Sequence, residues 1–144
     1  MTPDQIALIR SNWSAVAPIS DTAAQLFYGR LFELDPTLRP LFKGDMAEQG
    51  RKLMAMLGTV VGRLDQLGEI LPAVQSLGQR HAGYGVQNEH YGTVAQALLW
   101  TLEQGLGPAF TPPAREAWTQ AYTVLAGAMQ AAAASPTASP ATGA

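Results

Sequence analysis

A chain of 144 residues, 47% apolar and only 14% charged, suits one domain and is long enough to bury a core. A net charge of −2 gives no sign of a basic protein and argues against nucleic acid as a partner; the lack of cysteine excludes disulfides, thiol catalysis and zinc-thiolate sites. The opening MTPDQIALIR has no basic stretch leading into an apolar run, and no apolar segment approaches the roughly 20 residues that cross a bilayer, so we expect a soluble, cytoplasmic protein with no membrane partner.

Helical periodicity dominates and no alternating strand stands out. Thr2-Pro3-Asp4-Gln5 reads as an N-cap, a proline at the first helical position and a capping box. Ile6, Ile9, Trp13 and Val16 then trace one apolar face. A second helix follows Ser20-Asp21 and carries Ala24, Phe27, Tyr28 and Leu31; Asp35-Pro36 ends it, and Pro40 closes a short turn of helix. From about Ala47, the residues Gln49, Leu53, Leu57, Val60, Val61 and Leu64 recur at helical spacing. Leu71-Pro72 reads as the start of the next helix, which places Val74, Leu77 and His81 on one side before Gly83, Gly85 and Asn88 break it. Two long helices follow, one from about Glu89 to Gly105–Gly107, the other from Thr111-Pro112-Pro113 with Trp118, Ala121, Tyr122, Leu125 and Met129 inward. From Ala131 the chain reads AAAASPTASPATGA, with no large apolar residue. The expectation is therefore one all-α domain over 1–130 and a disordered or frayed tail rich in Ala, Pro, Ser and Thr over 131–144.

His81 lies on the apolar face of its helix, one turn after Leu77. On its own, such a histidine is more often a core residue satisfied by a backbone carbonyl than a metal ligand. Either way, its Nδ1–H suits a carbonyl one turn back, such as that of Leu77.

The segments FYGRLFELDPTLRPLF, QGRKLMAMLG, RHAGYGVQNEHY and FTPPAREAWTQAYTVLA change the weighing, because the chain resembles the globins, specifically bacterial single-domain globins and the globin domain of flavohaemoglobins. The intervals agree as well as the residues: Tyr28 stands eight before Pro36, Phe42 six after it, His81 32 after Gln49, and Tyr91 ten after His81. The resemblance implies a globin fold, three helices over three around a haem, with little or no helix in the short stretch after Phe42. It implies haem b, held non-covalently since there is no cysteine, with His81 as the proximal iron ligand. Phe42 would stack on the porphyrin, Val86 touch its edge, and Leu57, Leu77, Tyr91 and Val94 line the pocket beside Leu98. Tyr28, Gln49 and Leu53 would form the distal face. Lys52 and Arg80, with Arg51 and Lys43, are candidates for a haem propionate. His90 reads as a solvated helix-start residue rather than a ligand.

Oxygen on ferrous iron takes on superoxide character, and a phenol and a carboxamide are donors suited to it. At about 1.5–3 kcal/mol per charge-assisted bond, Tyr28 and Gln49 together would slow oxygen escape on the order of a hundredfold or more. Leu53 would shield the ligand from water. Two features depart from the relatives. Only six residues separate Phe42 from Gln49, so a slip of one would put Glu48 or Gly50 in the pocket instead. The flavohaemoglobin glutamate near the proximal histidine falls near Ala133, where no acid occurs; Tyr91 matches the accompanying tyrosine.

Three functions follow from the resemblance. The first is reversible capture, storage or delivery of oxygen, with CO and NO as further ligands. The second is an enzyme, an NO dioxygenase turning NO and bound oxygen into nitrate with an external reductase. A gas or redox sensor ranks behind both, for want of an output domain. The expected state is a monomer or weak homo-oligomer.

Overall fold

The computed structural model describes residues 1–42, 44–83 and 88–134, and all regular structure among them is helical. Six α-helices follow one another: α1 (Pro3–Val16), α2 (Ser20–Leu34), α3 (Met46–Gly62), α4 (Leu67–Gly83), α5 (Asn88–Leu106) and α6 (Pro112–Ala134), with 3₁₀ turns at Ala17–Ile19, Pro36–Leu41, Leu64–Gln66 and Gly107–Ala109. The all-α expectation holds. Both halves of the capping box form at the start of α1: Thr2 Oγ1 accepts from the Gln5 amide at 3.2 Å, and Gln5 Oε1 accepts from the Thr2 amide at 3.0 Å. Asp35 caps the 3₁₀ turn that follows α2, and Asp45 caps α3 by accepting from the Ala47 amide at 2.9 Å. Helix α3 thus starts one residue before the sequence reading placed it. No helix is present among the described residues between Leu41 and Met46.

The start of α4 is a correction. The helix begins at Leu67, upstream of Leu71-Pro72, and Pro72 lies inside it. Proline at this position forfeits a single backbone bond, to Gly68. The gain is apolar: Leu64 is buried, Leu67 and Ile70 pack on the core, and Val74 is buried, all on one side. Burying several such side chains, at about 1.5–3 kcal/mol each, outweighs one lost hydrogen bond at about 1 kcal/mol. At the other end, α6 carries on to Ala134, four residues into the segment expected to fray. Alanine is the strongest helix former, so the run Ala131–Ala134 simply extends the helix. Residues 135–144 lie outside the described residues.

The core gathers Ile9, Val16, Phe27, Leu31, Val61, Leu98, Leu102 and Trp118. Helix α4 packs chiefly on α6, α2 on α5, and α3 on α2 and α1. Two glycines permit the closest crossings. A Cβ on Gly50 would stand 2.9 Å from Ala24 Cβ, and one on Gly78 would collide with the backbone of Met129. Polar ties join distant segments. Buried Trp118 donates Nε1–H to Asn12 Oδ1 at 3.1 Å, linking α6 to α1 across 106 positions. Arg10 reaches from α1 to the carbonyls of Val61 and Gly62 and to Asp65, placing a cation at the C-terminal end of α3.

Candidate functional site

The crossings leave one largely apolar slot between α3 and α4, closed behind by α2, α5 and α6. Its described lining is apolar apart from Tyr28, His81, His90, Tyr91 and Tyr122. His81 comes from the last turns of α4 and is half-buried. Its Nδ1 lies 2.8 Å from the Leu77 carbonyl oxygen. A carbonyl only accepts, so Nδ1 carries the proton and Nε2 keeps its lone pair. Burial pushes the imidazole pKa down, the bond to Leu77 opposes this, and the neighbouring Arg80 charge lowers it further. The ring is held neutral with a fixed tautomer, the state in which imidazole binds a metal.

On the α2 side, buried Tyr28 stands at the centre of an aromatic cluster. Its ring meets Phe27 edge-on at 5.1 Å and Phe42 edge-on at 5.4 Å, and stacks on Phe32 at 6.1 Å. The hydroxyl donates to the Gln49 backbone carbonyl at 3.3 Å, a long bond for this type. Burial raises the phenol pKa to about 12, so the hydroxyl keeps its proton across the physiological range. At the rear, Tyr122 donates to the Tyr91 carbonyl at 2.8 Å; burial, and then Tyr91, raise the Tyr122 pKa.

Of the residues singled out from the sequence, Tyr28, Phe42, Leu53, Leu57, Leu77, His81, Tyr91 and Val94 all line the slot. Gln49, Lys52 and Arg80 are not among its lining residues. Gln49 is half-buried beside it and contributes its backbone carbonyl to Tyr28. Lys52 is exposed and faces Glu48 at 3.9 Å. Arg80 is exposed. Arg51 faces a different depression, described below, and Lys43 and Val86 lie outside the described residues. His90 is a correction: it is half-buried and lines the slot rather than standing in solvent. The sequence reading passed over Met56, Met129 and Tyr122 as site residues. Tyr122 carried the one available signal, being a polar tip on an inward face one turn after Trp118.

Among the described residues no three His, Asp or Glu side chains gather as a metal cluster. His81 offers an imidazole with its tautomer fixed, in a largely apolar cavity that His90 also lines, which fits a metal whose other donors arrive with a flat apolar macrocycle. The slot holds about 190 Å³, less than the roughly 300 Å³ where pockets for drug-sized ligands begin. Its α3 wall, Leu53, Met56 and Leu57, is only half-buried. Helices α3 and α4 have their main packing on different partners, α3 on α2 and α1, α4 on α6.

A family model described as globin matches residues 25–129. The chain is 34% identical over 128 residues to a flavohemoprotein of Xylella fastidiosa, a match covering 87% of this chain and 32% of that protein. It therefore spans about a third of the length of the flavohemoproteins it matches. A neuroglobin of Danio rerio is 32% identical over 136 residues, covering 85% of this chain and 86% of the relative. Among solved structures, an engineered carbene transferase from Rhodothermus marinus, described as a nitric oxide dioxygenase, superposes with a TM-score of 0.86 at 28% identity, covering 98% of this chain and 99% of the other.

Proposed function

The chain belongs to the globin family, a family that binds haem, and from that premise we propose a haem b protein that reversibly binds oxygen. The observation that carries this reading is the oriented, neutral imidazole of His81 lining a largely apolar slot. Haem b, when bound, supplies the ferrous iron at which oxygen is taken up. His81 would hold that iron through Nε2, with the Leu77 carbonyl fixing the plane of the ring. Phe42 and Val94 would lie against the macrocycle. Tyr28 keeps its proton at Oη and would offer a donor to a polar gas ligand in place of its weak bond to the Gln49 carbonyl. Leu53 excludes water. Gln49 sits one backbone contact from that donor, and rotation of its carboxamide into the slot would add a second.

The test is the visible spectrum of the protein purified with haem available, followed by oxygen release from the reduced form. A red protein with a stable oxygen adduct and slow release is the expected outcome, and His81→Ala abolishes tight haem retention. A colourless preparation after haem reconstitution overturns the reading.

A second reading, NO dioxygenation to nitrate, is favoured by the similarity to the Rhodothermus marinus protein. Each turnover consumes an electron, so this activity requires a reductase to supply it. Sustained nitrate formation on supplying NO, oxygen and a reductase distinguishes it from simple oxygen binding.

A further inference from the structure

A second depression opens on the other side of Tyr28, between α2, the 3₁₀ turn at Pro36–Leu41 and the start of α3. It holds about 460 Å³. Among the described residues, Tyr28 alone lines both it and the slot. Its floor is made of small or flat groups, among them Ala24, Gly50 and Phe32. Two guanidinium groups, Arg39 and Arg51, stand on its walls, against a single acid, Asp21. Neither arginine has a carboxylate within ion-pair distance among the described residues, although five other cations do. Arg39 is also held in place, its guanidinium 5.3 Å above the Phe32 ring.

We propose that this cleft binds a small planar oxyanion, nitrate or a carboxylate, between Arg39 and Arg51. A guanidinium is a planar fork of donors that matches the two oxygens of such an anion, and stacking on Phe32 fixes one fork before the anion arrives. The excess of one positive charge over Asp21 gives the cleft its sign. Both arginines are exposed, and the apolar floor shields a bound anion from water on one side only. The site is one side chain, Tyr28, from the slot. The inference nevertheless stands on the cleft alone and does not depend on which reaction the slot supports.

Calorimetric titration of sodium nitrate and, separately, sodium acetate into the CO-saturated ferrous protein at low ionic strength tests it. Carbon monoxide occupies the iron, which leaves the anion only the cleft. A saturable single site with a dissociation constant on the order of 1 mM is expected for at least one anion. The tighter of the two identifies the source. Removing each guanidinium weakens binding about tenfold or more, so the Arg39→Gln/Arg51→Gln variant shows no saturation, whereas Arg115→Gln, far from the cleft, behaves as the parent. Arg51→Gln alone, at an exposed position, gives the intermediate value should the double variant fold poorly. Absence of saturable heat with both anions, or equal binding by the Arg51→Gln variant, overturns the proposal. Colour reports on haem and the titration on the cleft, so the two readings fail independently; a colourless protein is titrated in the same way.

Discussion

Tyr28 touches every part of the site: it anchors the aromatic cluster, borders both cavities and is the gas-ligand donor of the proposed function. Replacing it with phenylalanine keeps the ring contacts and removes only the hydroxyl. One charge-assisted bond is worth about 1.5–3 kcal/mol, so Tyr28→Phe accelerates oxygen release by roughly ten- to a hundredfold, measured by displacement with CO. An unchanged rate excludes the hydroxyl as the stabilising donor. The same group has a signature in alkali. Its folded pKa is raised by burial to about 12, above the value near 10 of an unfolded tyrosine. The folded state therefore holds the proton more tightly than the unfolded one. Its contribution to stability is complete below pH 10 and is lost as pH rises through 12. Phenolate absorbance should show a step near pH 12 that Tyr28→Phe lacks. Legibility at this scale was uneven. His81 and Tyr28 are identifiable from type and spacing, whereas which atom of Gln49 meets Tyr28 depends on a rotamer and a backbone turn that no spacing specifies. His90 looked exposed because a helix start normally is; the fold instead brings it to the slot beside Tyr91 and Val94.

Within elements, glycines predict opposite outcomes for the same substitution. Gly78→Ala puts a methyl into the Met129 backbone and forces α4 off α6, destabilising by about 1–3 kcal/mol. Gly92, in α5 with open space around its would-be Cβ, gains about 0.5–1 kcal/mol on conversion to alanine. Urea melts of the two variants should move in opposite directions; a shift of the same sign in both refutes the close crossing of α4 and α6. Such approaches are invisible in sequence, where each residue is simply a helix-weakening glycine. The caps were the reverse. Thr2, Asp35 and Thr111 mark boundaries that the fold keeps, because a cap is chemistry local to four residues. Pro72 misled for the same reason: its local rule is sound, but the buried stripe from Leu64 to Val74 overrides it from outside the local window.

Across the whole molecule, the slot divides the helices by their anchorage, α3 to α2 and α1, α4 to α6. A haem bridging them braces parts that otherwise hold each other weakly. Ligand present at a thousandfold above its dissociation constant adds about 4 kcal/mol, a rise in midpoint on the order of 10 °C for a domain of this size. Differential scanning of loaded and haem-depleted protein should show it, and His81→Ala should abolish most of the difference; equal midpoints would mean that the cofactor does not bridge the two sides.

The hydrogen bond between Asn12 and Trp118 sets a schedule for synthesis. At about 5–20 residues per second, Asn12 leaves the ribosome roughly 5–20 s ahead of Trp118, the residue that bonds it in the fold. For that interval the first helix has an amide destined for the interior that only water satisfies. His81 and both walls of the slot are made before Trp118. A nascent chain could therefore meet its cofactor while the N-terminal helix is still undocked, and the closing of α1 onto α6 would be the last event of folding rather than the first.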